Sequence, residues 1–539
     1  MQEDSFRLQQ VRLASLPIVQ RFIKALGLNE LLVEAVGYEA HAEALETLVK
    51  SVILRPDALY RLRTWTANFD DHLVRKNLSD DMLARALDRL YKTDRASLLT
   101  KLSLAAVDKF GVNTDQIHND STSVKFSGEY ANQNPKAVQL KRGHSKDHRP
   151  DLKQLVYSLS ITRDGSIPIH FKSYDGNCTD DTTHWETWTS LRGLLGRSDF
   201  LYVADSKLCV AKTLQKIDRE QGFFVTILPR TRTETEEFAL EAQGSRVRWQ
   251  EIYSQRSSRH RKIDHFEVAL GLYQMREGYR LYWYRSSEKK NRDTQDREER
   301  IALARNRLLA LNEVKRRGPK TEAAIGRAAD KIINRLKVKD WLKVVVASEE
   351  VESFKQTRRG KANSSSLFKR SIHRVARVSV NDNFDGQALS AAMDGIFPLA
   401  TNKDLTPLEA LKAYKFQPRL EKRHSMFKSV LQVAPVFLKK NDRIEALMFV
   451  YFIAQLIASL IERTLRAEMA KAGIESLPLL PEGRPTKTPT TAHVIDNFRD
   501  RHRQYLFDGD RMIKTFAEPL SKEQMQVLKL LEVPVAEFK

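Results

Sequence analysis

The chain has 539 residues, of which 41% are hydrophobic and 29% are charged, a composition that excludes a largely disordered protein. Lysine and arginine number 90 against 69 acidic residues, so the net charge is 90 − 69 = +21. An excess of this size predicts a polyanionic partner, nucleic acid before an anionic membrane surface. The two cysteines, Cys178 and Cys209, exclude a disulfide scaffold and a cysteine-based zinc module and fit a reducing cytoplasm.

The N-terminal region, residues 1–110, is predicted to be helical. Ser79 can cap a helix whose apolar residues recur at the i, i+3, i+4, i+7 spacing from Leu83 to Tyr91, and a second periodic segment from Ile18 ends at Gly27. We assign residues 1–110 to a helical domain that either binds DNA or serves in packing or dimerisation. The first ten residues lack a basic segment followed by an apolar core, so we expect no secretory signal and a cytoplasmic protein.

From residue 111 the pattern changes to short β-rich segments alternating with helical ones. The predicted strands are 116–126, 152–162, 167–172, 200–204 and 223–228, and the predicted helices are 181–195 and 209–220. Three strands in a meander followed by alternating helices and strands predict an α/β domain with a mixed sheet.

Residues 231–400 interrupt that alternation. Strands are predicted at 265–274 and 279–285, followed by a charged helical stretch at about 292–336. From Arg285 to Arg370 there are 24 basic and 12 acidic residues, so this segment carries 24 − 12 = +12 of the net charge. Two interpretations stay open here, a solvated helix face and a surface that contacts the DNA backbone. Helices are predicted from 401 to the end, and the apolar run 446–461 fits a buried helix better than a membrane span.

Three carboxylates stand out by their context. Asp120 lies in the middle of a predicted strand, where a buried carboxylate needs a partner or a metal ion. Asp205 directly follows the apolar strand 200–204, at the end where α/β sheets place ligand-binding groups. Glu421 lies seven residues after Tyr414 and seven before Lys428, so a helix would carry all three on one face.

Pro418 weakens a continuous helix through this segment and fits the first turn of a helix that begins there, with Tyr414 in the turn before it. Two aspartates and a glutamate offer hard oxygen ligands, which suit Mg²⁺ or Mn²⁺. Two such ions can activate a water or a 3′-hydroxyl for phosphoryl transfer.

Several blocks of the sequence resemble the bacterial insertion-sequence transposases of the DDE class, in particular the group numbered 1634, a relative of group four. The first-aspartate block is Asp120–Ser123 with Gly128–Tyr130, the second is Val203–Ser206, and the glutamate block resembles the signature Y-x2-R-x3-E-x6-K through Tyr414, Glu421 and Lys428. The arginine position of that signature holds Gln417. The further similar blocks are Leu78–Asp81, Gly143–Gln154, Asp394–Asn402 and Pro481–Arg484.

The resemblance implies an RNase H-like core with a catalytic, metal-binding triad of Asp120, Asp205 and Glu421. It implies DNA contacts by Tyr414 and Lys428. Arg419 is the candidate to substitute for the missing arginine. Lys207, after the second aspartate, and Arg230, at a strand end, are further candidates for DNA contact. The predicted regions are a helical domain at 1–110, the first part of the core at 111–230, a β-rich and helical insertion at 231–400, the second part of the core with the glutamate helix at 401–470, and a helical C-terminal region at 471–539.

The predicted function is transposition, in which Mg²⁺ or Mn²⁺, as two ions, supports cleavage at the ends of an element and strand transfer into target DNA. The expected partner is double-stranded DNA, as terminal inverted repeats and target, bound by a homodimer without a role for a membrane. Two alternatives stay open. One is an RNase H-fold nuclease that does not join strands, and the other is a catalytically silent DNA-binding protein derived from a transposase.

Overall fold

The computed structural model describes residues 6–54, 58–143, 151–178, 183–244, 246–256, 263–313, 321–364, 366–431 and 438–539. The strands in chain order are β1 (Phe6–Arg12), β2 (Gln116–Phe126), β3 (Lys153–Thr162), β4 (Pro168–Tyr174), β5 (Leu201–Ala204), β6 (Phe223–Ile227), β7 (Trp249–Arg256), β8 (Ile263–Ala269), β9 (Tyr273–Gln274), β10 (Arg280–Ser286), β11 (Leu342–Gln356), β12 (Phe368–Asp382), β13 (Ile396–Thr401), β14 (His502–Asp508) and β15 (Arg511–Ala517).

The helices in chain order are α1 (Leu16–Leu26), α2 (Leu28–Val36), α3 (Glu39–Leu54), α4 (Leu62–Ala67), α5 (Asp80–Lys92), α6 (Arg95–Phe110), α7 (His184–Leu195), α8 (Ala211–Arg219), α9 (Thr233–Gln243), α10 (Ser287–Leu309), α11 (Glu322–Leu336), α12 (Phe384–Ala392), α13 (Pro407–Tyr414), α14 (Gln417–Ser425), α15 (Asn441–Lys471), α16 (Thr491–Asn497) and α17 (Lys522–Leu530). The protein is therefore a mixed α/β protein, as the sequence predicts.

The chain divides into two compact units. The first unit comprises Met1–Thr226, Thr401–Asp404 and Glu409–Lys539, and the second comprises Ile227–Ala400 and Leu405–Leu408. The division of the sequence into five regions stays a prediction.

The first unit contains the sheet that carries two of the three predicted acids. Its strands lie in the order β4-β3-β2-β5-β6. The strands β2, β3 and β4 form an antiparallel meander, whereas β5 runs parallel to both β2 and β6. β2 and β3 are buried along most of their length, which is the environment expected of central strands.

Local signals in the sequence account for several helix ends. The Ser79 hydroxyl accepts a hydrogen bond from the Met82 backbone N–H at 3.2 Å, so it caps α5 as predicted. Gly27 ends α1 with φ at 68°, a left-handed conformation that glycine adopts without steric cost.

Helix α15 is the long apolar helix of the first unit. It is the one described helix that is long and apolar enough to cross a membrane, but 94% of its apolar window is buried inside the protein. This burial agrees with the prediction of a core helix.

The C-terminal region, predicted as helical, also contains the strands β14 and β15. Their sheet has the order β1-β14-β15, so its first strand comes from the beginning of the chain. The prediction missed the local hairpin of β14 and β15, which closes at Gly509 and Asp510, whereas the pairing of β14 with β1 depends on a partner distant in sequence.

The second unit contains strands in the order β13-β10-β8-β7 and a separate two-stranded ribbon of β11 and β12. The ribbon extends over 15 residues in each strand and packs at its base on α10 and α11, through a small core that includes Leu308, Ile325 and Val378. The charged helices predicted at about 292–336 are α10 and α11. The basic run Lys315–Arg317 between them lies outside the described residues.

Candidate active site

The parallel pairing of β2 with β5 places Asp120 and Asp205 side by side. In this pairing His118 lies opposite Val203. Each aspartate lies two residues further along its strand direction, since 118 + 2 = 120 and 203 + 2 = 205. Asp205 directly follows the C-terminal end of β5, where its backbone carbonyl accepts a hydrogen bond from the Thr226 hydroxyl at 2.7 Å. Two acids distant in sequence are therefore brought to neighbouring strands, Asp120 within β2 and Asp205 directly after β5.

Backbone amides orient both carboxylates. The Asp120 Oδ1 atom accepts a hydrogen bond from the Ser121 N–H at 2.7 Å, and the Asp205 Oδ1 atom accepts one from the Lys207 N–H at 3.0 Å. The Asp120 side chain is 24% exposed and the Asp205 side chain is 43% exposed. Both carboxylates can therefore contact a ligand from solvent.

The helix that carries Glu421 packs directly on the strand that carries Asp120. The Gln417 Oε1 atom is 2.9 Å from His118 Nδ1, and the Gln417 Nε2 atom donates to the Asn119 carbonyl at 3.2 Å. His118 and Asn119 are the two residues before Asp120. Glu421 follows Gln417 by four residues, so it lies on the same face of α14 and is exposed.

The turn between α13 and α14 has the form that Pro418 predicts. Tyr414 is the last residue of α13, and Pro418 lies in the first turn of α14. The Gln116 side-chain amide in β2 donates to the Ala413 carbonyl at 3.2 Å, which fixes the end of α13 on the same strand.

All three predicted acids affect the pKa of Tyr414. Burial of its phenol, together with the negative charges of Asp205, Asp120 and Glu421, raises the pKa of Tyr414 to about 12. All three predicted acids therefore contribute to the electrostatic environment of Tyr414. Within the described residues, however, no group of three or more His, Cys, Asp or Glu side chains converges closely enough to form a set of metal ligands.

Two histidines that were not predicted from the sequence lie beside the aspartates. His184 Nε2 is 3.9 Å from Asp205 Oδ1, and its Nδ1 atom is 3.0 Å from the Tyr202 hydroxyl. His424 Nε2 is 3.9 Å from Asp120 Oδ2. His424 follows Glu421 by three residues, so helical spacing could have indicated it. No pattern in the sequence indicates His184, because α7 is far from both aspartates along the chain.

The residues predicted to contact DNA fall into two groups. Lys428 is half-buried in a π-helical turn, Met426–Val430, that continues α14, and Lys207 is exposed next to Asp205. Arg230 belongs to the second unit, where its guanidinium is 3.9 Å from the Asp293 carboxylate. DNA contact by all of them stays a prediction.

Arg419 does not take the place of the arginine in the family signature. It follows Gln417 by two residues, which is about 200° around the helix axis. Its side chain lines a cleft on another side of α14, whereas Gln417 faces β2. Arg419 as a DNA contact stays a prediction. Most of the similar block Gly143–Gln154 lies outside the described residues, which omit 144–150.

Comparison with known proteins gives structural similarity of limited extent. No protein-family model matches the chain, and no curated protein matches it. Among solved structures, the chain is similar to the piggyBac transposase in its synaptic complex with hairpin DNA, with a TM-score of 0.29 and 11% sequence identity. The match covers 50% of this chain and 60% of the piggyBac chain.

Proposed function

We propose that the protein is a DDE transposase of a bacterial insertion sequence. The observation that carries the proposal is the juxtaposition of Asp120 and Asp205 on adjacent parallel strands, with Glu421 on a helix that packs against the first strand. The negative charges of all three carboxylates raise the pKa of Tyr414 in addition to its burial, which is consistent with this grouping. The net charge of +21 is consistent with DNA as the partner.

The proposed fold of the catalytic core is RNase H-like. An antiparallel meander of β2, β3 and β4 is followed by the parallel strands β5 and β6, and the central strand β2 carries Asp120. This topology supports the proposal because it accounts for the order of the acids along the chain. The second aspartate follows the strand adjacent to β2, and the glutamate comes on a helix that returns to the sheet later in the chain.

The proposed cofactor is Mg²⁺ or Mn²⁺, as two ions held by Asp120, Asp205 and Glu421. Carboxylate oxygens are the ligands that such ions prefer, although the three side chains do not converge into one ligand set within the described residues. Asp120 and Asp205 each lie two residues beyond the last residues paired between β2 and β5, and Glu421 is exposed on α14, which packs on β2. When bound, the ions supply a hydroxide-like nucleophile and neutralise charge on the leaving oxygen.

The side chains of the protein position the DNA for the reaction. Lys428 carries a compact positive charge on the extension of α14 and suits a phosphate of the strand to be cut. Tyr414 stays a neutral hydroxyl at physiological pH because its pKa is about 12, so it can donate a hydrogen bond to a phosphate or stack on a base. In the proposed reaction water displaces the 3′-oxygen from phosphorus, and the resulting 3′-hydroxyl then attacks a phosphodiester of target DNA.

The proposed partners are the terminal inverted repeats of the element and the target DNA, bound by a homodimer that brings two ends together in the bacterial cytoplasm. The test uses purified protein, Mg²⁺ or Mn²⁺, and a labelled duplex that carries the ends of the element encoding it. We expect cleavage that leaves a 3′-hydroxyl, and joining of pre-cut ends to a target duplex. Glu421→Gln should abolish both reactions, and Asp120→Asn should abolish cleavage with DNA binding retained.

The control variant is Glu475→Gln, which makes the same change at an exposed glutamate paired with Lys487 at 3.1 Å. It should cleave as the wild type does. Cleavage without joining would favour a nuclease of the same fold. DNA binding with no cleavage in the wild type at any Mn²⁺ concentration would favour a silent DNA-binding protein and overturn the proposed activity.

A further inference from the structure

A basic cleft lies along α14, on a different side from Gln417 and Glu421. Its volume is about 270 Å³, and it is lined by the α14 residues Arg419, Lys422 and Arg423, by the α15 residues Glu462 and Arg466, and by threonines that include Thr490. All of these residues belong to the first unit. The four cations and the single carboxylate named here give the cleft a charge of 4 − 1 = +3.

The single carboxylate of the cleft, that of Glu462, is already bound by Arg423 and by the Thr491 backbone. Glu462 Oε2 is 2.7 Å from the Arg423 guanidinium, and Glu462 Oε1 accepts the Thr491 N–H at 3.2 Å. Arg423 in turn donates to the carbonyls of Gly165 and Ser166, each at 3.0 Å. Arg423 and Glu462 are therefore a structural pair, and they leave the other cations of the cleft to an external ligand.

Those other cations are Arg419, Lys422 and Arg466. In the part of the chain that the structure describes, neither Arg419 nor Lys422 forms an ion pair, and both are exposed. Arg466 lies 3.7 Å from Glu462, which already pairs with Arg423, and donates to the Pro489 carbonyl at 2.9 Å. Burial lowers the pKa of Arg466, Glu462 opposes this effect, and the positive charges of Arg423 and Arg419 add to it.

We propose that this cleft binds a backbone phosphate of the DNA strand that passes the acid site. Guanidinium and ammonium groups together with threonine and serine hydroxyls form the usual donor set for a phosphate diester. The proposal rests on the proposed function, since it assumes DNA as the ligand. It assigns to Lys422 and Arg466 a DNA contact that the family signature does not contain.

The cleft and Glu421 lie on different sides of the same short helix, α14. Lys422 follows Glu421 by one residue, so it lies about 100° around the helix axis from Glu421. Arg419 precedes Glu421 by two residues, which is about 200° around the axis.

The test measures the salt dependence of DNA binding by the full-length protein on a random-sequence duplex, without added metal ion so that no cleavage occurs. Each lost phosphate contact lowers the slope of log K against log salt by about 0.9. We expect Lys422→Gln to lower the slope by about 0.9 and Arg419→Gln with Lys422→Gln to lower it by about 1.8. The charge-conserving pair Arg419→Lys with Lys422→Arg should restore the wild-type slope.

The matched control is Lys529→Gln, which removes an exposed lysine on α17 outside the cleft and should leave the slope unchanged. An unchanged slope in the double variant, or an equal loss in the control, would overturn the cleft assignment. Cleavage by wild-type protein on element ends is measured separately with Mg²⁺. Cleavage with no change of slope would reject only the cleft, and a changed slope without cleavage would reject only the transposase activity.

Discussion

Gln417 is the residue at which this chain departs from the family signature, and the structure gives that departure a physical role. Its amide contacts His118 and the Asn119 carbonyl, so one side chain joins the glutamate helix to the strand of Asp120. Burial lowers the pKa of His118 to about 4, which keeps its ring neutral at physiological pH. The neutral Gln417 amide suits a neutral His118 ring because an amide can both donate and accept a hydrogen bond.

We expect Gln417→Ala to lower the free energy of unfolding by about 1–3 kcal/mol, because it leaves buried polar groups without their partner. We also expect cleavage by the folded protein to fall at least about tenfold, since Glu421 loses its positioning. Urea denaturation and single-turnover cleavage measure the two effects.

The control for Gln417→Ala is Gln387→Ala in the second unit, where the amide donates to the Trp341 carbonyl and to Asp382 Oδ1, both at 2.9 Å. This variant should be destabilised as well, but its folded fraction should cleave at the wild-type rate. Equal losses of cleavage in both variants would contradict a positioning role for Gln417.

His170 in β4 makes stability depend on pH. Burial, together with the positive charge of Lys172, lowers the pKa of His170 to about 4 from an ordinary value of 6.5. Between these values the unfolded chain binds a proton that the folded protein does not, so stability falls as the pH falls from 6.5 to 4. Each pKa unit corresponds to about 1.4 kcal/mol, so the loss is of the order of 3 kcal/mol.

Urea denaturation at pH 7, 6, 5 and 4 measures this dependence. His170→Gln should reduce it by about 3 kcal/mol and leave the part that comes from His118, whose pKa burial also lowers to about 4. The control His373→Gln, at an exposed position of β12, should leave the dependence unchanged. The same pH dependence in the wild type and in His170→Gln would rule out the buried histidine as its source.

At the scale of elements, α14 is attached on two sides. Gln417 joins it to β2, and the buried ion pair of Arg423 with Glu462 joins it to the core helix α15. Both side chains of that pair are 7% exposed. An ion pair at this depth is costly to break because each charge is left without its partner.

We expect Arg423→Ala to lower the free energy of unfolding by about 3–5 kcal/mol. The control is Arg192→Ala, which removes an exposed pair with Glu220 at the same N–O distance of 2.7 Å, and it should cost about 0–1 kcal/mol. Urea denaturation at pH 7 compares the two. Similar losses would show that burial of the pair does not determine how strongly it holds α14.

At the scale of the whole chain, one sheet joins the beginning to the end. β1 pairs with β14 in antiparallel register from Phe6 opposite Asp508 to Arg12 opposite His502. Val11 is 7% exposed, whereas Leu8 in the same strand is 58% exposed. The strand therefore has one position that packs and one that faces solvent.

We expect Val11→Asp to lower the free energy of unfolding by several kcal/mol, about 2 or more, because it buries a carboxylate without a partner. Leu8→Asp makes the same chemical change at the exposed position and should stay within about 0.5 kcal/mol of wild type. Thermal unfolding compares the two variants. Equal shifts would contradict the pairing of the chain ends.

Helices, helix caps and strands could be predicted from the sequence because they depend on local physics. Periodicity and caps located most helices, including α5 after Ser79, and apolar runs located the strands from β2 to β6. The sequence also predicted that Asp205 follows a buried strand, because the apolar run before it is a local signal. Tertiary structure alone decided which elements meet. Parallel pairing brings Asp120 beside Asp205, Gln417 seats the glutamate helix, and β1 joins β14, because these contacts depend on partners far along the chain whose packing no local pattern encodes.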